Sequence, residues 1–439
     1  MSSLGFPIVN DRCYPQLLEE QRDDYSKPLQ LLAKQLRFTD PITGKQHFFT
    51  SERRLFIALG HPWVLQDKFT KQWPVGVSGD LINLVNDGGE FLACALRGED
   101  RIVARVLAAE HINIDCSWFE KKLRMALALR QQHVDLDDTN AYRLINGEGD
   151  GLPGLTVERY DQYLMIQLYT NSWEPYLTQL VKALQNVFTP TGIYEKFRPQ
   201  QTRALEKKGN KRYSRLLAGI AAPPSYQVME NGLIFKVILE EGLNTGLFMD
   251  QRENRRDLMQ RVRGKRVLNL FAYTGAFSVA AAAAGASQVT SVDVSKQYLD
   301  WARENFGLNR LNPKRHKFVD GDCFEVLAQM VQQHQLYDII LMDPPSFSTT
   351  SKNRFTTSGG TARLVTLALN LLQPGGLLIT SSNHQKVDLA DYLKELRRGV
   401  LAAGCELKVI KTVGQGGDFP FLVTFPEGRY LKYVISAKG

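Results

Sequence analysis

The chain has 439 residues, of which 44% are hydrophobic and 23% charged, and its formal net charge is +8. This length suggests two or three domains, and the composition is ordinary for a globular protein. No apolar run reaches the roughly 18–20 residues that cross a bilayer, and the N-terminus lacks the apolar core of a signal peptide. We therefore predict a cytoplasmic protein.

The five cysteines are scattered, with no CxxC pair and no spacing to histidine that suits a metal. We predict a reducing compartment, no disulfide framework and no metal site. The positive charge is compatible both with an ordinary solvated surface and with a polyanionic substrate.

The first part of the chain changes pattern near residue 48. Residues 1–47 form an N-terminal extension with one amphipathic stretch, Tyr14–Leu36, that predicts a helix. Short alternating strands between glycine turns follow, and they predict a small β domain over residues 48–125. A helix is predicted next, at Phe119–Gln132. The strands and hairpin turn of this domain are Val75–Asp80, Leu81–Val85, Asn86–Glu90 and Phe91–Leu96.

Residues 126–230 predict a middle α+β domain with a helix at Tyr176–Val187. Its strands are Tyr142–Ile145, Leu155–Arg159, Leu164–Leu168 and Ile193–Lys196. A basic stretch with Gly209 and Asn210 follows and is typical of an exposed loop, and its clustered charge favours a polyanionic partner. The cations of this stretch are Arg203, Lys207, Lys208, Lys211, Arg212 and Arg215.

From residue 231 to the C-terminus, short apolar strands alternate with helical stretches. This order is typical of an α/β domain in which a parallel sheet carries helices on both faces. The predicted strands are Val267–Leu270, Gln288–Val292, Lys317–Val319, Ile339–Met342 and Leu377–Thr380.

The first of these strands leads through a tight turn into an alanine-rich helix that ends near Gly285. Such a turn presents backbone N–H groups and a helix N-terminus to a ligand. Dinucleotide sites need a G-x-G-x-x-G turn so that a pyrophosphate can approach the backbone, and here Gly275 is the turn's one glycine. A ligand without phosphate fits better, and S-adenosylmethionine (SAM) is such a ligand. The candidate cofactor-binding residues of the turn are Asn269, Phe271, Tyr273, Thr274 and Gly275.

An aspartate stands at or just after the end of each of the next two strands. Asp293 lies about 20 residues beyond the turn, where a carboxylate can hold both ribose hydroxyls. Asp322 is suited to accept from the adenine amine, and Cys323 follows it. Each signal alone is weak, since a single strand-end Asp is often a helix cap, but their order together predicts a class I SAM-dependent methyltransferase.

The fourth strand ends in Asp343-Pro344-Pro345-Ser346-Phe347, which suits an acceptor nitrogen in a base. The Asp343 carboxylate and the Pro344 carbonyl can accept hydrogen bonds from an amine or a ring N–H. Phe347 can stack on a flipped-out base, and it is equally compatible with a core or rim aromatic.

Methylation at C5 of a pyrimidine requires a thiolate that first adds to C6. No cysteine lies within Asp343–Phe347 or in the fifth strand's exit, Thr380–His384. Cys323 lies beside the adenine pocket, and a small buried side chain is the simpler interpretation of it.

Eight short motifs from about Arg53 to the C-terminus carry a family resemblance. They are Gly60–Val64, Val75–Asp80, Gly147–Leu155, Thr245–Arg252, Leu268–Gly275, Asp343–Phe347, Asp418–Pro420 and Pro426–Lys432. With them the chain resembles the bacterial PUA-domain methyltransferases of large-subunit ribosomal RNA, a family that includes the cytosine-C5 methyltransferase of that RNA.

The resemblance implies a PUA-like RNA-binding domain, a middle domain and a Rossmann-like catalytic domain over residues 231–439. It implies that Asp250, Gln251 and Arg252 cover the SAM pocket, and that Trp63 of the PUA-like motif contacts RNA together with the basic stretch.

The chain departs from this family at one position. Members that make 5-methylcytosine carry Ser-Cys-Ser at the fifth strand's exit, whereas Ser382-Asn383-His384 stands here. A related branch that methylates guanine N7 has a Ser-Asn-Asn-like run and needs no cysteine. The resemblance thus implies that Asn383 hydrogen-bonds the base edge, whereas His384 is more simply a structural histidine.

Three hypotheses follow for the function. The first is an RNA nucleobase methyltransferase that acts at a nitrogen, with large-subunit ribosomal RNA as substrate; cytosine-C5 methylation with another nucleophile is its variant. The second is an RNA-binding assembly factor that binds SAM but has lost catalysis. The third, a small-molecule methyltransferase, is disfavoured by the PUA-like domain and the basic stretch. The base atom remains open, and so does a homodimer.

Overall fold

The computed structural model describes residues 35–39, 46–50, 57, 60–68, 70–86, 88–207, 209, 211–345, 347–349 and 354–439. For 35–39, 46–50, 347–349 and 354–359 only the backbone is described. The chain divides into two compact units, residues 1–60 and 61–439.

In the first unit, strands β1 (Gln35–Thr39) and β2 (Gln46–Thr50) pair antiparallel. The predicted helix Tyr14–Leu36 lies outside the described residues except for its last two positions, which belong to β1.

The second unit begins with a four-stranded antiparallel sheet in the order β3-β6-β5-β4. Its strands are β3 (Trp63–Leu65), β4 (Leu81–Val85), β5 (Phe91–Arg97) and β6 (Ile102–Ala108). The predicted hairpin of β4 and β5 is present.

The predicted strand at Val75–Asp80 is wrong, because residues 78–79 form a turn and the rest of the segment is not in a strand. The Asp80 carboxylate accepts the N–H of Val77 at 2.7 Å, and the Asp80 N–H donates to the Val77 carbonyl. Gly79 has φ of +94°, a value that L side chains rarely adopt. The Asp80 contacts and the Gly79 backbone therefore prevent an extended strand.

A five-stranded sheet follows in the order β11-β10-β9-β8-β7, parallel between β9 and β10 and antiparallel elsewhere. The strands are β7 (Ala141–Asn146), β8 (Leu155–Tyr160), β9 (Tyr163–Leu168), β10 (Gly192–Lys196) and β11 (Ser214–Gly219). Helices Cys116–His133 and Leu177–Phe188 pack on it around a core that includes Phe119, Leu180 and Trp173.

The predicted basic loop is only partly a loop. Helix Pro199–Lys207 contains Arg203 and Lys207, and Arg215 belongs to β11. This helix begins at Pro199, and a proline at the first position of a helix costs no hydrogen bond, because the first N–H groups have no intrahelical partner. The basic composition of the stretch gave no indication of this helix.

The hairpin of β12 (Tyr226–Glu230) and β13 (Leu233–Val237) leads to the largest sheet, which has seven strands in the order β16-β15-β14-β17-β20-β22-β21. The first five of these run parallel, and β22 and β21 add antiparallel. Their bounds are β14 (Arg266–Leu270), β15 (Gln288–Asp293), β16 (Lys317–Asp320), β17 (Tyr337–Met342), β20 (Leu372–Ser382), β21 (Leu407–Val413) and β22 (Lys432–Lys438). A short antiparallel pair, β18 (Phe347–Thr349) and β19 (Arg354–Thr356), follows β17.

Helices cover both faces of the seven-stranded sheet. Neighbouring residues of β14 point to opposite cores, with Val267 in one cluster and Leu268 in the other. One core is closed by helices Arg252–Met259, Ala276–Ala283 and Lys296–Leu308, and the other by Cys323–Gln332, Thr357–Leu371 and Leu389–Ala403. This is the predicted Rossmann-like α/β arrangement, and each of the five predicted strands lies within an observed one.

The strand order creates a switch point. From β14 the chain proceeds outward to β15 and β16, then returns to β17 on the other side of β14. In open α/β sheets, ligands bind at the carboxyl ends of the strands where the order reverses in this way. No described helix is long and apolar enough to span a membrane.

Candidate active site

A cavity of about 530 Å³ lies at this switch point. Its walls come from the residues that follow β14, β15, β16 and β17, at Phe271–Thr274, Asp293–Val294, Gly321–Phe324 and Asp343–Pro345. Small-molecule sites have volumes of roughly 300–1,000 Å³. The cavity therefore has the size and the position of a cofactor site.

The loop after β14 adopts a strained backbone where it reaches the cavity. Phe271 and Tyr273 have φ of +57° and +50°, and Gly275 has +78°. A Cβ on Gly275 would lie 2.6 Å from the Cβ of Ala302, so this position requires glycine. Left-handed backbone at a non-glycine residue costs on the order of 1–3 kcal/mol and is concentrated at ligand sites.

Asp293, at the end of β15, holds this loop from the side. Its two carboxylate oxygens accept the N–H groups of Tyr273 at 2.8 Å and of Ser295 at 2.9 Å. Burial raises the pKa of Asp293, and these donors act in the opposite direction. Each oxygen has a second lone pair, so the carboxylate can still accept hydrogen bonds from two neighbouring hydroxyls.

Asp322 and Cys323 lie at the end of β16. Asp322 caps helix Cys323–Gln332 by accepting the Phe324 N–H at 2.9 Å, and it also lines the cavity. Burial raises the pKa of the Cys323 thiol to about 12. That thiol is therefore protonated near neutrality and is a poor nucleophile.

These residues fit SAM. Asp293, Phe271 and Phe324 line the cavity; with SAM bound, the carboxylate would accept hydrogen bonds from the ribose diol and the two rings would provide apolar walls for the adenine. A dinucleotide pyrophosphate needs glycines for its close approach to the backbone, whereas side chains occupy two of the left-handed positions here. When bound, SAM would supply an activated methyl group.

Asp343, Pro344, Pro345 and Asn383 also line the cavity. Burial raises the pKa of Asp343 to about 6, with a smaller contribution of the same sign from the Asp250 charge. Hydrogen bonds from Ser381 and Gln251 oppose that rise. A carboxyl group with this pKa is mostly ionised at pH 7 and can accept a hydrogen bond or a proton.

Asp250 and Gln251, which the sequence assigned to the cofactor, line the cavity close to Asp343. The Gln251 amide donates to Asp343 Oδ2 at 3.0 Å. Asp250 accepts the Tyr430 hydroxyl at 2.7 Å, and burial raises the pKa of Asp250. Asp250 and Asp343 thus both contribute carboxylates to the cavity.

Three predicted cofactor-binding residues do not line the cavity. Arg252 is 1% exposed and binds Asp418 through two hydrogen bonds of 2.9 and 2.8 Å. The Asn269 amide is buried and donates to Ser278 Oγ at 2.9 Å. Gly275 shapes the turn through its backbone. The other predicted cofactor residues line the cavity: Asp250, Gln251, Phe271, Tyr273, Thr274, Asp293, Asp322 and Cys323.

Arg255 lines the cavity but was missed by the sequence prediction. Its guanidinium binds Glu230 through two hydrogen bonds of 2.6 and 2.7 Å and donates to the Phe248 carbonyl. Arg255 lies three residues after Arg252, about one helical turn. The sequence gives no signal that selects one of the two arginines.

The predicted RNA-binding tryptophan is engaged within the protein. The Trp63 indole N–H donates to Glu148 at 2.8 Å, and its ring packs on Phe425 with centroids 4.6 Å apart. Trp63 therefore joins its sheet to the middle sheet and to the C-terminal segment.

The basic residues Arg203, Lys207, Lys211 and Arg212 are all exposed. Lys211 pairs with Glu206 at 2.8 Å, which reduces the free charge. The predicted Lys208 and the Phe347 side chain lie outside the described residues. In the described part of the chain, no group of His, Cys, Asp and Glu could hold a metal ion.

Comparison with known proteins identifies the family of the chain. Residues 142–422 match the family model of S-adenosylmethionine-dependent methyltransferases, and residues 53–109 match a PUA-like domain. The chain belongs to the family of S-adenosylmethionine-dependent methyltransferases, so the predicted enzyme class and its cofactor SAM are confirmed.

Two named relatives match most of the chain. The chain is 34% identical over 374 residues to the ribosomal RNA large subunit methyltransferase I of Yersinia pseudotuberculosis and of Yersinia pestis, which covers 85% of this chain and 94% of each relative.

Solved structures show the same fold. A methyltransferase candidate complexed with SAH is 28% identical and covers 87% of this chain and 96% of that chain, with a TM-score of 0.78. A candidate SAM-dependent methyltransferase from Streptococcus mutans has the same identity and coverage, with a TM-score of 0.76.

Proposed function

We propose that this enzyme methylates a nucleobase nitrogen in large-subunit ribosomal RNA. The observation that carries the proposal is the acceptor end of the cavity, where the Asp343 carboxylate, Pro344 and Asn383 occur together. Among the described residues, the cavity's one cysteine is Cys323, whose thiol is protonated near neutrality. The named relatives support ribosomal RNA as the substrate.

The chain's own residues would bind and orient the base. The Asp343 carboxylate would accept a hydrogen bond from an amine or ring N–H, or take up its proton. The fixed φ of Pro344 and Pro345 limits the backbone here, which favours a constant direction for the Pro344 carbonyl. Asn383, which is exposed at the exit of β20, can donate to or accept from the base edge. Phe347 remains a candidate for stacking on the base.

The exposed cations Arg203, Lys207, Lys211 and Arg212 would bind the RNA backbone.

Residues 48–125 would then form the PUA-like RNA-binding domain, 126–230 the middle domain and 231–439 the catalytic domain. Such an enzyme would work in the cytoplasm. Light scattering would test the homodimer hypothesis.

The decisive experiment incubates the purified protein with tritiated SAM and ribosomal RNA from cells that lack this gene. Nucleoside analysis should find the label in a base-nitrogen product. Asp343→Ala should abolish transfer while SAH still binds, whereas Asp137→Asn, at an exposed position, should behave as the wild type.

Label in 5-methylcytidine would contradict the nitrogen assignment. If no RNA is labelled although SAH binds, the assembly-factor hypothesis would be favoured. Equal loss of transfer and SAH binding in Asp343→Ala would move Asp343 to a cofactor role.

A further inference from the structure

The Gln251 side chain connects three parts of the acceptor site. Gln251 precedes helix Arg252–Met259 and is 3% exposed. Its amide nitrogen lies 3.0 Å from Asp343 Oδ2, beyond β17, and 2.9 Å from Ser381 Oγ, within β20. The Gln251 amide therefore donates both of its N–H groups, one to Asp343 and one to Ser381, which are 92 and 130 positions away in the chain.

Asn254 fixes the orientation of this amide. The Asn254 Nδ2 group donates to Gln251 Oε1 at 2.6 Å and to the Gly414 carbonyl at 3.4 Å. A backbone carbonyl can only accept hydrogen bonds, so the atom of Asn254 that faces Gly414 is its nitrogen. The same nitrogen faces Gln251, which must therefore present its oxygen to Asn254 and its nitrogen to Asp343.

We propose that Gln251 is a positioning residue for methyl transfer: its amide holds the Asp343 carboxylate in one direction at the acceptor end and favours the ionised form. This inference rests on the proposed role of Asp343 as the group that binds the base. Gln251 itself acts through Asp343.

The groups around Asp343 shift its pKa in both directions. Burial is the largest effect and raises its pKa to about 6, and the charge of Asp250 adds to the rise. The Ser381 hydroxyl, the Gln251 amide and the Arg255 charge lower it.

Two phenols, Tyr392 and Tyr433, also lie near enough to interact with the charge of Asp343, although burial is the main reason that their own pKa values are raised. Since a donor to a carboxylate favours the ionised form, removal of the Gln251 amide should raise the pKa of Asp343.

The test compares Gln251→Leu with the wild type and measures the titration of Asp343 directly. Carbon NMR of protein with labelled aspartate carboxyls, assigned with Asp343→Asn, gives the midpoint without any RNA. We expect the midpoint to move up by about one pH unit, a tenfold change in the ionisation equilibrium. The acid limb of kcat/KM for RNA methylation should move up with it.

Two further variants separate positioning from simple structural support. Gln251→Glu preserves the shape and adds a like charge, so the Asp343 midpoint should rise further than in Gln251→Leu. Gln332→Leu makes the same chemical change at an exposed position and should leave both the midpoint and the rate unchanged. SAH affinity, measured by calorimetry, should change by less than about threefold in all three variants, since Gln251 acts on transfer rather than on cofactor binding.

An unchanged Asp343 midpoint in folded Gln251→Leu would overturn the inference. So would a fall in SAH affinity as large as the fall in kcat. If the wild type methylates no RNA, the proposed function fails, whereas the titration still decides whether Gln251 controls Asp343.

Discussion

The ion pair of Arg252 and Asp418 tests the role of Arg252. The sequence predicts that Arg252 covers the cofactor pocket, whereas its contacts in the structure indicate that it stabilises the fold. Its two side chains are 1% and 0% exposed. Asp418 Oδ2 also accepts the Arg143 N–H at 2.9 Å, and the Asp418 carbonyl accepts from Arg130 at 2.8 Å. Asp418 therefore links the helix that begins at Arg252 to strand β7 and to helix Cys116–His133.

We predict that Asp418→Ala is strongly destabilising, because it removes the buried carboxylate of the Arg252 guanidinium and leaves only the half-exposed Glu253, 3.1 Å from Nε, as its partner. Breaking a buried pair from one side costs about 3–5 kcal/mol, out of a total stability of roughly 5–15 kcal/mol. The double variant Arg252→Met/Asp418→Leu removes both charges. It should be more stable than Asp418→Ala, since no unpaired charge remains.

Urea denaturation gives the free energies of unfolding, and calorimetry gives the SAH affinity of each folded variant. The exposed pair Lys394–Asp391 provides the control, where Lys394→Ala should cost less than about 0.5 kcal/mol. Because neither Arg252 nor Asp418 lines the cavity, the double variant should bind SAH as the wild type does.

Two results would refute this reasoning. If the double variant is as unstable as Asp418→Ala, the unpaired charge is not the cause of the loss. If the folded double variant no longer binds SAH, Arg252 has the cofactor role that the sequence suggested.

Three further predictions concern the cavity and the basic segment. Asp293→Ala should weaken SAH binding about tenfold to a hundredfold, the loss expected for hydrogen bonds to a charged group, and calorimetry would show it; unchanged affinity would remove Asp293 from the cofactor site. Cys323→Ala should retain RNA methylation, because the thiol pKa is raised to about 12; a dead variant with normal SAH affinity would implicate the thiol in catalysis. Lys211→Ala/Arg212→Ala should weaken RNA binding similarly for all sequences and reduce its salt dependence by a slope of about two; an unchanged slope in a filter-binding titration would exclude phosphate contacts there.

The sequence determined much of the catalytic domain because the relevant signals are local. Apolar runs of strand length, separated by helical stretches, give a parallel sheet, and a parallel sheet brings its strand ends to one edge. The turn at Phe271–Gly275 and the acids Asp293 and Asp322 could therefore be assigned to one cofactor site without coordinates.

A local sequence pattern was misleading where the contacts of one side chain, rather than hydrophobic alternation, determine the backbone conformation. Val75–Asp80 has the alternation of a strand, but the Asp80 contacts and the positive φ of Gly79 make it a turn. The RNA contact predicted for Trp63 stays a prediction; within the protein its indole N–H binds Glu148 and its ring packs on Phe425.

The sequence by itself determined the cofactor and the positions of five parallel strands along the chain, since backbone preference and hydrophobic periodicity act over a few residues. Only the tertiary structure decided which polar groups meet. Arg252 and Arg255 lie one helical turn apart, yet the first binds Asp418, 166 residues away, and the second lines the cavity. Gln251 reaches Asp343 across 92 residues. Such pairs depend on the directions of side chains after the sheets and helices have packed, which no local pattern encodes.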